Sequence, residues 1–306
     1  MLTRILALLS VVSVSSLSTS STETPKWQPK VSNLQDRRKL RGQTHDTEHI
    51  GSLGFHHVEF YCGDAKSTAQ RFSLALGMPI VGTTGQHTGN DQCVSYGLQS
   101  GNLQFLLTAP YSQAMAGRAT TTPDMVLDAP DPLPHFVPSE AHAFFAKHGL
   151  AARAVGLLVK DAAKAFDASV VNGAVPVLEP TLVEACPAQA GGVPCTMAEV
   201  ELYGDVVLRY VSYESKPDPK LPFLPHLAPV ASRRTTYGLQ RIDHAVGNVP
   251  NLQQALERVA TFTGFHEFAE FTPEDVGTVE SGLNSVVLAS DSESVLLPLN
   301  EPVSGR

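Results

Sequence analysis

The chain has 306 residues, 42% of them hydrophobic and 17% charged, with a formal net charge of −8. That length holds a sizeable core and suggests two domains. No basic stripe points to nucleic acid, and no apolar run reaches the roughly 18 residues of a membrane span.

Residues 1–48 read as a targeting segment and flexible leader. Arg4 precedes the apolar run Ile5–Val14, and Ser13, Ser15 and Ser16 are small enough for a signal peptidase. So short a run suits a signal h-region better than a membrane helix. The expected destination is the secretory route, for export or as a first step into a plastid, with the cytoplasm as the alternative.

The folded part begins near residue 49. Phe55–Tyr61 alternates as a strand, Asp64 is placed to cap a helix, and Ala69, Phe72 and Leu76 fall on one face of it. Gly77 closes the helix, and strand-like runs follow at Pro79–Gly82, Cys93–Leu98 and Leu103–Thr108. This βαβββ order recurs. Arg153–Val159, a helix over Ala162–Val171 capped by Asp161, and strands at Glu199–Leu202 and Val206–Tyr213 make a second copy. A third opens at Leu239–Val246, with a helix starting near Pro250 and a stripe of Leu252, Ala255, Leu256, Val259 and Phe262. His57 precedes Gly77 by the same interval as His244 precedes Gly264, which supports internal duplication. The expected fold is therefore α+β, built of repeated βαβββ modules. Two form an N-terminal pair at 49–214, a proline-rich linker runs over 215–236, and one module fills 237–306. Four cysteines show no zinc spacing, and free thiols are expected over a Cys186–Cys195 bridge.

The stretch richest in chemistry is Arg241-Ile242-Asp243-His244-Ala245-Val246-Gly247-Asn248. On a strand, His244 faces the same way as Ile242 and Val246, and an inward imidazole needs a hydrogen bond or a metal. A bonded core histidine is the plainer of the two.

Asp243–Asn248, the run Phe262–Phe271, Gly282-Leu283-Asn284-Ser285 and Leu297–Pro302 resemble the plant-type 4-hydroxyphenylpyruvate dioxygenase family. So do Phe55–Phe60, Phe105–Ser112 and Leu202–Val211, so the resemblance runs from about residue 52 to the end. It implies the vicinal-oxygen-chelate (glyoxalase-like) fold, in which paired βαβββ modules form a curved sheet. It also implies a non-haem iron oxidoreductase of tyrosine catabolism and prenylquinone precursor synthesis. That reaction turns 4-hydroxyphenylpyruvate and O2 into homogentisate and CO2, with Fe(II) held by two histidines and a carboxylate. By resemblance His244 is the first of those ligands, Ser285 and Asn300 lie near the substrate, and Val246 is a pocket wall. Asp243 is expected to point away as a structural residue.

The family's other two ligands lie on a fourth module, and this chain ends as its third finishes. The expectation is thus a fragment, inactive by itself. The alternative is a non-catalytic module that docks a partner through its unpaired third unit, and a homodimer is an open option. A substitute metal site from His56, His57, Glu59, Glu199 and Glu201 is weighed against His57 as a bonded core residue, and the latter is preferred.

Overall fold

The computed structural model describes residues 10–11, 45–112, 133–231, 236–272, 275, 277 and 281–304. The expected targeting segment lies almost wholly outside them. Within it only the backbone of Ser10–Val11 (β1), paired in parallel with Val246–Gly247, and residues 45–48 are described.

The first unit is β2 (Ser52–Tyr61), α1 (Ala65–Leu76), β3 (Ile80–Thr84), β4 (Cys93–Ser100) and β5 (Leu103–Pro110). Its helix starts where the Asp64 carboxylate accepts from the Ser67 amide at 2.9 Å. It stops at Gly77, whose φ of 61° suits glycine. The second unit is preceded by α2 (Pro138–His148) and comprises β6 (Ala151–Val159), α3 (Ala162–Val171), β7 (Pro176–Val183), β8 (Cys195–Tyr203) and β9 (Val206–Tyr213). The short β10 (Ala228–Pro229) joins their sheet. The third unit is β11 (Val246–Asn248), α4 (Leu252–Thr263), β12 (His266–Phe271), β13 (Ser281–Ala289) and β14 (Leu296–Ser304).

Units one and two share a nine-stranded sheet in the order β10-β3-β4-β5-β2-β6-β9-β8-β7, joined where β2 runs antiparallel to β6. The third unit has its own sheet, β1-β11-β14-β13-β12. One continuous core covers the outer faces. It runs from Phe60 and Phe105 through Leu208 and Tyr210 to Leu256, Phe262 and Leu299. Arg258 of α4 reaches Glu201 of β8 at 3.0 Å across the boundary.

The inner face of the nine-stranded sheet has a separate core. Cys93, Leu106, Met197 and Val211 are covered by Leu133 and Phe136 and by Phe223, Leu224 and Leu227. Part of the stretch expected to be a linker therefore plugs the concave side. Gly82 and Gly97 make room for it: a Cβ at Gly82 would sit 2.9 Å from Leu227 Cβ and Pro222.

Two local expectations need correction, and two elements are additions. The strand expected over Leu239–Val246 begins only at Val246. The Leu239 and Gln240 carbonyls instead accept from the Ser100 hydroxyl (2.8 Å) and the Asn102 amide (2.6 Å) of the first unit, so they are not available to a ladder. Pro250 does not open α4. Asn251 caps it, accepting from the Gln254 amide at 2.9 Å. Finally, α2 and β7 had no sequence reading. β7 contains Pro176 and Pro180, which an edge strand at the end of the sheet order tolerates.

Candidate functional site

In the third unit, Asn248, Asn300 and Ser285 stand side by side across β11, β14 and β13. Cross-strand partners share a face. Their neighbours Leu299 and Val286 point the other way, into the core with α4. Ser285 is buried and Asn300 half-buried. Among the described residues, the Ser285 hydroxyl and the Asn300 side-chain amide make no hydrogen bond. They are uncommitted polar groups on the face turned away from α4. Val246, two residues before Asn248, is buried on the same side by alternation.

His244 lies just before β11, and the Ala245 amide donates to Leu296 O, so the chain still runs alongside β14. Four extended residues carry it about 13 Å from Asn248. The ring is mostly buried, and its Nδ1 is 3.1 Å from Asp243 Oδ2. Asp243 was expected to turn away. Because the chain here is not pleated into a ladder, adjacent side chains do meet, and Arg241 holds the other carboxylate oxygen at 2.9 Å. With Nδ1–H donating to the carboxylate, Nε2 keeps its lone pair. Carboxylate-oriented histidine is a common form of metal ligand. His244 thus fits one iron ligand, but among the described residues no three His, Cys, Asp or Glu side chains converge on a metal position. His266 does not join it, being stacked on His45 at 3.5 Å on a strand at the far side of the sheet.

The inner face of the first half has plenty of donors and a different outcome. Arg209 of β9 pairs with Glu199 (Nε–Oε1 2.6 Å) and Glu59 (Nη2–Oε2 2.7 Å), and its Nη1 donates to His57 Nε2 at 3.0 Å. Burial works against the charge, but the two carboxylates, Glu199 ahead of Glu59, outweigh it and hold the guanidinium protonated. The donor set considered as a substitute metal site is therefore closed around a cation supplied by the protein.

The rest of this network follows from hydrogen-bond direction. Since His57 Nε2 accepts, its Nδ1–H donates to His56 Nδ1 (2.6 Å). His56 Nε2–H then donates to Tyr213 Oη (3.0 Å), whose hydroxyl donates to the Phe223 carbonyl in the plug. A register shift between Phe55 and Val58 lets two successive histidines turn inward. Both rings are neutral. Burial, with the Arg209 charge, lowers His56 to about 3, and burial drives His57 well below its ordinary value. Arg209 was missed in the sequence, although a lone charge in the apolar run Val206-Val207-Leu208-Arg209-Tyr210-Val211 signals a buried partner. All four cysteines are free thiols.

Comparison with known proteins bears on both halves. No protein-family model matches the chain. The 4-hydroxyphenylpyruvate dioxygenase of Arabidopsis thaliana is 50% identical over 257 residues, 82% of this chain and 54% of that protein. That of Daucus carota is 50% identical over 260 residues, covering 85% and 55%. The Coccidioides posadasii enzyme of the same name is 28% identical over 268 residues. The chain thus spans about half the length of the curated plant relatives it matches. A mutant 4-hydroxymandelate synthase from Streptomyces coelicolor superposes with a TM-score of 0.59 at 17% identity, over 84% of this chain and 66% of that one. A TIM barrel/4-hydroxyphenylpyruvate dioxygenase fusion protein superposes with a TM-score of 0.54 at 19% identity, over 83% and 33%. The fold is that of the vicinal-oxygen-chelate proteins, and over four-fifths of its length this chain is half-identical to plant 4-hydroxyphenylpyruvate dioxygenases, of which it spans about half.

Proposed function

We propose that the third unit contributes one side of the active site for conversion of 4-hydroxyphenylpyruvate and O2 to homogentisate and CO2. The observation that carries this is the uncommitted Ser285/Asn300 pair, on the face turned away from α4 and on the strands beside the His244 segment. Ser285 donates a hydroxyl and Asn300 an amide to polar groups of the substrate, and Val246 packs against its apolar part. His244 offers Nε2 to Fe(II), with Asp243 fixing its tautomer. Bound Fe(II) supplies the position at which an α-keto acid and O2 meet. One imidazole does not hold Fe(II) against water, so two further donors come from outside the described residues.

A chimera tests the assignment directly. Residues 237–304 would replace the matching stretch of the Arabidopsis thaliana relative, and homogentisate would be followed by chromatography. The chimera is expected to turn over substrate. His244→Ala should abolish iron binding and activity, and Ser285→Ala or Asn300→Ala should each lower kcat/KM by about tenfold. A folded, iron-loaded chimera that makes no homogentisate, or one indifferent to all three substitutions, overturns the proposal.

A further inference from the structure

At the mouth of the first half's inner face, between α2 and the β8–β9 hairpin, lies a cavity of about 520 Å3. That volume suits a small organic ligand. Its aromatic wall is Tyr61, which meets Phe136 and Phe144 edge-on at 5.7 and 5.5 Å. Val207, on the same strand face as Arg209, forms an apolar floor.

Most of the lining charges are already matched. Glu199 is held by Arg209 at 2.6 Å and Glu201 by Arg258 at 3.0 Å. Asp205 takes Lys147 at 2.7 Å and His148 at 2.6 Å. Glu140 lies on the exposed rim, in the first turn of α2, where the helix dipole favours it. Arg153 is the exception. Its Nη1 donates to the Asp205 main-chain oxygen at 2.6 Å, and among the described residues it has no carboxylate partner. The Tyr61 hydroxyl beside it likewise has no hydrogen bond among them.

We propose that this cavity binds an aromatic monocarboxylate, with the carboxylate on the Arg153 guanidinium and the ring against Tyr61, Phe136 and Phe144. A guanidinium and a carboxylate form paired, charge-assisted hydrogen bonds, and aromatic rings stack edge-on or offset. Among the described residues that line the cavity, the single unmatched cation selects a monoanion, because a phosphate dianion there would face Glu199 and Glu201. The site is separate from the proposed iron-proximal face and does not rest on it.

Isothermal titration of the metal-free full chain with 4-hydroxyphenylacetate, in EDTA, tests this. Saturable binding of one molecule per chain is expected. The neutral analogue 4-hydroxyphenethyl alcohol should bind about tenfold more weakly, and Arg153→Met should weaken the acid by about tenfold while leaving the alcohol unchanged. Arg153→Lys should recover part of the loss, and Ser285→Ala with Asn300→Ala should change nothing. No saturation, acid binding untouched by Arg153→Met, or loss in the Ser285/Asn300 variant overturns the proposal. Should Arg153→Met fail to fold, methyl NMR of the wild-type chain decides. Shifts at Leu133 and Val207 on titration support the site, and their absence overturns it.

Discussion

Each unit ends in two antiparallel strands, and on each inner face one cross-strand pair stands at a similar place. In the first unit it is Ser95 and Thr108, in the second Glu199 and Arg209, in the third Ser285 and Asn300. In the first half these residues bond one another. The Ser95 and Thr108 hydroxyls meet at 2.9 Å, Thr108 donates to Glu59, and Arg209 links Glu59 to Glu199. In the third unit the corresponding pair is uncommitted. The same fold thus makes a sealed structural centre from complementary charges and an open polar face from neutral groups. The unit architecture alone does not decide which; side-chain identity at two strand positions does.

Acid should separate the two halves most strongly. His56 and His226 are lowered to about 3 and His57 well below its ordinary value, in each case by burial foremost. Unfolded histidine titrates near 6.5, so below that pH the unfolded chain takes up protons that the folded chain does not, down to about 3. Stability is fully present above 6.5 and lost as pH falls, by up to ~4 kcal/mol per pH unit for the three together. Urea titrations between pH 7 and 5 check this. His226→Leu, which deletes two buried ring nitrogens that have no hydrogen bond among the described residues, should cut the slope by about a third. A pH-independent midpoint would contradict the neutral network.

Next in size is Arg209→Met. It leaves Glu59 and Glu199 buried without their cation and should destabilise by about 3–5 kcal/mol in urea unfolding. Adding Glu59→Leu and Glu199→Leu should return much of that loss, because an apolar trio of similar volume needs no counter-charge. Gly82→Ala comes third. Its Cβ meets Leu227 Cβ and Pro222 rather than a flexible side-chain tip, so about 1–3 kcal/mol is expected in thermal melts. Smallest is Ser285→Ala with Asn300→Ala, which removes no hydrogen bond among the described residues and should change stability by at most ~1 kcal/mol. A large loss there would show that the third unit's face is structural after all, and the contrast between the halves would fail.

Much of the scaffold was legible because its determinants are local. Asp64 and Asp161 cap helices through amides three residues on, at 2.9 and 3.1 Å, and Gly77 and Gly264 close helices at positive φ. The stripe from Leu252 to Phe262 faces the core as its period requires. The candidate residues Ser285 and Asn300 were legible by resemblance, and their pairing across β13 and β14 is a register that no single segment displays. The inward turn of both His56 and His57 depends on a bulge against β6, and the shortened strand at 239–246 on carbonyls drawn to another unit.

The sequence by itself determined the recurrence of a βα unit followed by strands, most of the helix ends and the resemblance to plant 4-hydroxyphenylpyruvate dioxygenases, since these follow from periodicity, capping chemistry and residue identity along the chain. Only the tertiary structure decided that Arg209 fills the first half's donor set, that Phe223–Leu227 plugs its concave side, and that Asp243 turns to His244. Those outcomes depend on which charges and carbonyls meet across 150 residues or more in one case and on whether a neighbouring strand is present in another. Burial makes every such meeting matter, because a polar group taken from water must find its partner wherever the fold places it.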